Sequence, residues 1–226
     1  VLQGDGAATT TIDASASTTV GSVLAVSPPS GNVLIDGFTV KNGLNQHGIT
    51  HATANAASVV TISNNILDGY GPLSTSGKDF GVIGGYGSIG KVVIDNNTFS
   101  GFASNPILFE KHAGESEVTN NTITTPDGSD GIFYMTYDNL DVTALQHISF
   151  NSITLPSGLS SSTAGINFTG GFDGATDKRG GYSNIRILNN TISNIGSSGR
   201  GIGLWNSATT PAEGEIAGAL ISGNSI

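Results

Sequence analysis

The sequence predicts an all-β fold, a single-stranded right-handed parallel β-helix of about seven or eight coils, on three observations. The first is a recurring phrase in which an apolar residue leads into an asparagine and then a second apolar residue. It reads Ile62-Ser63-Asn64-Asn65-Ile66-Leu67, Ile94-Asp95-Asn96-Asn97-Thr98-Phe99 and Val118-Thr119-Asn120-Asn121-Thr122-Ile123. It returns as Ile148-Ser149-Phe150-Asn151-Ser152-Ile153, Ile187-Leu188-Asn189-Asn190-Thr191-Ile192 and Ile221-Ser222-Gly223-Asn224-Ser225-Ile226. The second is an alternating phrase, a small residue before an apolar one: Gly48-Ile49, Gly81-Val82, Pro106-Ile107, Gly131-Ile132, Gly165-Ile166 and Gly201-Ile202. The third is composition. Only 11% of residues are charged and 33 are glycine, a mixture with Asn, Ser and Thr that suits short strands and turns better than helices.

Each repeat therefore holds at least two short β-branched segments with period-two alternation, the pattern of half-buried strands. Successive anchor asparagines from Asn65 to Asn224 are 24 to 39 residues apart. Constant phrases at variable spacing mean fixed rungs joined by loops of changing length. Thr10-Thr11-Ile12-Asp13 begins an early coil. Val33-Leu34-Ile35-Asp36-Gly37-Phe38 is a degenerate copy, with Gly37 and Phe38 in place of the corner pair and Asp36 facing solvent.

Stacking at about 4.8 Å per coil lines like positions into ladders. Ile62, Ile94, Val118, Ile148, Ile187 and Ile221 form one inward column, and Ile49, Val82, Ile107, Ile132, Ile166 and Ile202 a second. The second Asn of each pair suits a sharp left-handed corner, and its amide can bond to neighbouring turns. Residues 1–226 read as one β-helix domain. No capping helix is visible at either end, so the expectation is a piece of a longer protein, or ends covered by another chain.

The net charge of −9, with eight Lys and Arg, argues against a nucleic-acid partner. No apolar run reaches membrane-spanning length, so no membrane insertion is expected. Cysteine is absent, which excludes a disulfide framework and cysteine-based metal sites. The sequons at Asn96, Asn120, Asn167 and Asn189 read mainly as the first Asn of the repeat phrase.

Over most of the chain, the Asn phrases from Ile62 to Ile226 resemble the pectate-lyase-like superfamily of right-handed parallel β-helix proteins. The resemblance implies a secreted or cell-surface protein that binds or cleaves an acidic polysaccharide. It equally implies the non-catalytic roles of tailspikes, adhesins and surface modules. No polygalacturonase-like Asn-Thr-Asp, Gly-His-Gly and Arg-Ile-Lys set is present, and Asp127-Gly128-Ser129-Asp130 reads as a turn. The paired Asp and Arg motifs of calcium-dependent pectate lyases are not found either. Fold alone does not carry function.

Setting the second phrase in register and reading outward collects the chain's scarce charges and aromatics. One coil contributes Glu110, Lys111 and His112, and the next Tyr134, Tyr137 and Asp138. The following coil contributes Asn167 and a loop with Asp173, Asp177, Lys178 and Arg179; the last contributes Trp205 and Asn206. Glu110, Lys111, His112 and Asp138 are the candidate catalytic set. Tyr134, Tyr137, Asn167, Asp177, Lys178, Arg179 and Trp205 are the candidate substrate contacts.

A lyase needs a base beside a uronate carboxylate and positive charge for the resulting anion, roles that suit Lys111, His112 and Arg179. A hydrolase needs two carboxyls, roughly 5 Å apart for retention or 6.5–9.5 Å for inversion, which Glu110 and Asp138 could supply. Trp205 and Tyr137 suit stacking on sugar faces. Calcium is the one cofactor considered, through the oxygens of Asp173 and Asp177, although their spacing matches no calcium motif. His47 and His51 read as structural and His147 as exposed. Ile83, Leu108 and Phe133 form an outward apolar stripe, to be covered by a loop, by another chain as in a homo-oligomer, or by a ligand. Two readings follow: a polysaccharide lyase or glycoside hydrolase, and a non-catalytic module of a surface or adhesion protein.

Overall fold

In the computed structural model the chain winds through seven coils and opens an eighth, each coil adding one strand to each of three parallel sheets. The structure describes residues 1–19, 21–69, 80–85, 87–126, 128–138, 140–156, 163–171, 180–196, 199–206 and 215–226. Coil one is β1 (Leu2–Gln3), β2 (Thr11–Asp13) and β3 (Gly21–Val26); coil two is β4 (Val33–Asp36), β5 (Thr39–Lys41) and β6 (Gln46–His51). Coil three is β7 (Val59–Ser63), β8 (Ile66–Asp68) and β9 (Val82–Gly85), and coil four is β10 (Lys91–Asp95), β11 (Thr98–Ser100) and β12 (Ile107–Glu110). Coil five is β13 (Ser116–Thr119), β14 (Thr122–Thr124) and β15 (Ile132–Thr136), followed by the short β16 (Leu140–Val142). Coil six is β17 (Gln146–Ser149), β18 (Ser152–Thr154), β19 (Ala164–Gly170) and β20 (Gly180–Tyr182). Coil seven is β21 (Ile185–Leu188), β22 (Thr191–Ser193) and β23 (Arg200–Asn206), and β24 (Ala219–Ser222) opens the eighth.

The first strands of the coils make sheet A, the second strands sheet B and the third strands sheet C, while β16 pairs with β20 alone. Every strand pairing is parallel and joins neighbouring coils, so the fold is a parallel β-helix. Among the described residues no helix is long and apolar enough to cross a membrane.

Both expected apolar columns form in register. Ile62 pairs with Ile94, Ile94 with Val118, Val118 with Ile148, Ile148 with Ile187, and Ile187 with Ile221. On sheet C, Ile49, Val82, Ile107, Ile132, Ile166 and Ile202 follow one another in the same way. All but the two terminal members are fully buried, and Ile221, on the last strand of sheet A, is 45% exposed. Sheet B contributes Val40, Leu67, Phe99, Ile123, Ile153 and Ile192 to the same core. Each such side chain contributes roughly 1.5–3 kcal/mol by its burial.

The turn from sheet A to sheet B divides two jobs that the sequence reading gave to one residue. The left-handed conformation belongs to the first member of each pair: Asn64, Asn96, Asn120, Phe150 and Asn189 have φ of 54–57°, and Gly37 and Gly223 also have positive φ. The second member points inward. Asn65, Asn97, Asn121, Asn151 and Asn190 are about 1% exposed and form a continuous ladder. The Oδ1 of Asn97 accepts from the Asn65 backbone N–H at 2.9 Å and from Asn65 Nδ2 at 3.1 Å. Asn97 Nδ2 reaches the carbonyl of Ile62 on the preceding coil at 2.9 Å. The same set repeats through Asn121, Asn151, Asn190 and Asn224. The ladder ends at Phe38, whose N–H donates to Asn65 Oδ1 at 2.9 Å.

Asp36 does face outward, yet it is engaged: Ser63 Oγ and Asn64 Nδ2 both donate to its Oδ1, at 2.8 and 2.6 Å. These bonds hold its carboxyl below the usual range.

Inside sheets A and C the core is partly polar. Ser116 and Gln146 occupy inward positions next to Val92 in the same row. Tyr134 OH donates to Ser116 Oγ at 2.6 Å, Ser116 Oγ donates to Gln146 Oε1 at 2.6 Å, and Gln146 Nε2 reaches the Gly114 and Ala144 carbonyls. Every polar atom of this chain of bonds has a partner, which is what makes its burial tolerable. Phe109, Tyr134 and Phe168 stack on three successive coils at 4.4 and 4.3 Å.

Replacing Asn121 by Ala leaves the buried Asn97 N–H without a partner and removes a second bond to the Ile94 carbonyl, so the expected loss of stability is roughly 2–3 kcal/mol. Phe150 is 60% exposed in a left-handed conformation that other coils give to Asn or Gly, so Phe150→Asn should gain about 1 kcal/mol. Urea unfolding checks both; no loss in Asn121→Ala, or a loss in Phe150→Asn, would contradict the division of roles at the corner.

Candidate functional site

The outer face of sheet C is built by alternation. In β12, Ile107 and Phe109 point inward, so Leu108 and Glu110 point outward; in β15 the outward residues are Phe133 and Met135. Register then defines two outward rows. One runs Ile83, Leu108, Phe133, Asn167 and Gly203, and the other Gly85, Glu110, Met135, Thr169 and Trp205. The apolar stripe expected from the sequence is present but less open: Leu108 is 5% exposed, and Ile83 and Phe133 are half-buried.

At the far edge of the sheet, Lys111 and Asp138 both take the left-handed conformation, with φ of 54° and 56°. The chain thus leaves sheet C the same way on two coils, which brings four predicted residues together. Lys111 Nζ lies 2.8 Å from Asp138 Oδ2 and 5.0 Å from the centre of the Tyr137 ring. Tyr137 OH donates to Glu110 Oε1. The Lys111–Asp138 pair is partly exposed, at 23% and 44%, so it contributes at most about 1 kcal/mol. Both carboxylates therefore already have a partner before any ligand arrives.

Two members of the predicted set are misplaced by the outward reading. His112 is fully buried inside the coil, where its Nε2 faces the Glu115 carbonyl at 3.2 Å. Tyr134 is fully buried in the aromatic stack. Alternation from Ile132 requires Tyr134 to point inward, and the turn after Glu110 carries His112 back under the sheet. Neither can touch a substrate in this fold. Asn167 and Trp205 do lie on the outer face, Asn167 in the row of Leu108 and Phe133 and Trp205 in the row of Glu110 but three coils further on. Asp173, Asp177, Lys178 and Arg179, and with them the calcium expectation, lie outside the described residues.

The second polar cluster, at the near edge of sheet C, includes two residues that sequence reasoning missed as site members. Asp130 accepts from the Ala164 N–H at 2.6 Å and from Asn167 Nδ2 at 2.8 Å, and its own N–H donates to Asn105 Oδ1 at 2.7 Å. Burial pushes its carboxyl above the usual range, against the opposing pull of Asn167, Ala164 and Arg200. Arg200 lays its guanidinium 4.2 Å from the centre of the Trp205 ring. The usable signal was positional, because Asp130 immediately precedes the Gly131-Ile132 phrase and Arg200 the Gly201-Ile202 phrase.

A row on sheet A was also legible in the same manner. Glu117, His147 and Arg186 each precede an inward Val or Ile and stand side by side on successive coils, and Lys91 pairs with Glu117. A cleft of about 240 Å³ between β16 and β20 brings Asp141 and Glu215 to one rim, beside Tyr182 and Ser183. Among the described residues, no group of three or more His, Cys, Asp or Glu side chains converges as a metal ion would require.

Comparison with protein-family models, with curated proteins and with solved structures gives no match for this chain. The parallel β-helix therefore stands on its own strand pairings.

The buried His112 has a partner of its kind. His51 points inward at the row position of Gly84 and Phe109, and its ring fills the space that Gly84 leaves empty. The two imidazoles are 5.6 Å apart, and both His51 nitrogens and His112 Nδ1 are buried without a hydrogen-bond partner. Burial lowers His51 to about 3, with His112 adding a smaller push, and lowers His112 to about 4 against the Glu115 carbonyl. Because the folded values lie below the ordinary 6.5, the unfolded chain takes up protons first as pH falls. Stability is whole above pH 6.5 and drains away as pH drops toward 4 and 3. Going from pH 7.5 to 5 should cost roughly 2 kcal/mol per ring. Urea midpoints at the two pH values test this; His112→Gln should shrink the fall, and an unchanged wild-type midpoint would contradict it.

Proposed function

We propose that this chain is a carbohydrate-binding β-helix of a secreted or cell-surface protein, holding a polysaccharide along the outer face of sheet C. The observation that carries the reading is the make-up of that face. An apolar column of Ile83, Leu108 and Phe133, continued by Asn167, runs between a near edge bearing Asp130 and Arg200 and a far row bearing Glu110 and Trp205, with Lys111, Tyr137 and Asp138 beyond it. A sugar chain has the complementary pattern of apolar C–H faces and hydroxyl rims. Rows repeating at about 4.8 Å give such a chain a long, regular surface.

The geometry supports binding better than cleavage. With His112 inside the coil and Lys111 held by Asp138, two of the three residues on which the lyase reading rests are already engaged, and the third, Arg179, lies outside the described residues. A hydrolytic reading keeps one specific support, since Glu110 and Asp138 lie on adjacent coils within one cluster, as a two-carboxyl mechanism requires.

Affinity electrophoresis against a panel of neutral and acidic polysaccharides tests the proposal. At least one should retard the protein, and a Lys111→Ala/Tyr137→Ala variant should bind about tenfold more weakly with its fold intact. Neither unsaturated products nor new reducing ends should accumulate. New reducing ends that vanish in Glu110→Gln would install the hydrolase instead, and no retardation by any polysaccharide would refute the saccharide reading.

A further inference from the structure

We propose that the Trp205 end of sheet C is a subsite for a neutral sugar unit, which stacks its C–H face on the indole. This rests on the saccharide-binding reading above and adds where one unit sits and what class it belongs to.

Four observations converge on the same notch. Trp205 stands on the outward row of sheet C, beside Thr169, and is 40% exposed, an unusual position for so large an apolar ring. Arg200 braces the ring from 4.2 Å and so limits its rotamers before a ligand binds, which lowers the ordering cost of stacking. Gly203 lies next to Asn167 in the other outward row. A Cβ at residue 203 would stand 2.7 Å from Trp205 Nε1 and 3.0 Å from Asn167 Oδ1, so only the bare Gly203 lets the indole N–H edge settle against the sheet beside the amide oxygen. Finally, Asn167 Oδ1 is shielded from solvent with no hydrogen-bond partner. Its orientation is fixed from behind, because Asp130 takes the Nδ2 at 2.8 Å and is itself held by the Ala164 N–H. The shielded amide thus belongs to the seat of the indole, and a sugar meets the exposed part of the ring.

Charge selects the sugar class. Asp130 and Arg200 oppose each other locally, leaving no net positive field for a uronate or a sulfate. The chain as a whole carries −9, which repels a polyanion at low salt. A neutral pyranose meets the apolar ring without that repulsion.

Trp205 is the only tryptophan of the chain, so its emission reports on this notch alone. The experiment titrates the protein with gluco-, manno-, xylo- and galacto-oligosaccharides and with oligogalacturonate, following tryptophan emission and heat of binding in parallel. A neutral oligosaccharide should shift the emission saturably. Trp205→Ala, read by calorimetry, should lose about tenfold in affinity, and Gly203→Ala should weaken binding by a similar factor, because its methyl group pushes the indole from its seat. Heat of binding without any change in emission would overturn this subsite and leave the broader reading standing. An emission change with oligogalacturonate alone would overturn the neutral class. No heat and no emission change with any of the five would overturn both.

Discussion

The rest of the structure depends on one buried hydrogen-bonded ladder, the inward asparagines from Asn65 to Asn224. Each side chain bridges two coils, accepting from the backbone and amide of the coil before it and donating to a carbonyl of sheet A on that coil. The amide offers a separate acceptor oxygen and a nitrogen with two N–H donors, where a hydroxyl has one donor on a single atom and a methyl group has none. With these bonds made in the same way on each coil, the register of sheet A is set, and the apolar columns on all three sheets fall into line. A slip by one residue would turn every inward isoleucine out to solvent. Variable loops are then tolerable, because the rung restarts at each asparagine.

The columns were legible from sequence because the phrase that builds them hardly changes. The corner was not, since Asn suits both a left-handed turn and a buried ladder, and an Asn-Asn pair hides which member does which. The copies that break the pattern held the answer. Gly37, Gly223 and Phe150 stand at the first position, and none of them could serve an amide ladder, so that position is the turn. The error over His112 and Tyr134 has a different origin, a slip of parity on sheet C. Strict alternation from Ile107 and Ile132 sends Phe109 and Tyr134 inward, and the buried Ser116 and Gln146 then give the tyrosine hydroxyl its partner. That network spans sheets A and C, so no single phrase of the sequence reveals it.

The outer face of sheet C is the by-product of this order. Positions that differ between coils are free to differ because they face away from the ladder, and there the chain places much of its scarce charge and its single tryptophan. The two polar edges differ in kind. The Glu110–Asp138 cluster is closed on itself by an ion pair and a tyrosine bond. The Asp130–Trp205 cluster is held from behind and keeps an acceptor unspent. Recognition without turnover fits the first, and a defined sugar subsite fits the second.

The most direct test of the account is the register between coils, and the absence of cysteine makes it clean. Thr98 and Thr122 are exposed Cα partners on neighbouring strands of sheet B, and Ser152 is the next partner along. Strand neighbours at about 4.8 Å are within disulfide reach, and positions two coils apart are not. A Thr98→Cys/Thr122→Cys variant should close an intramolecular disulfide on mild oxidation, while Thr98→Cys/Ser152→Cys should keep two free thiols. Failure of the first pair to close, or equal closure of both, would contradict the stacked register on which the ladder, the columns and the face all rest.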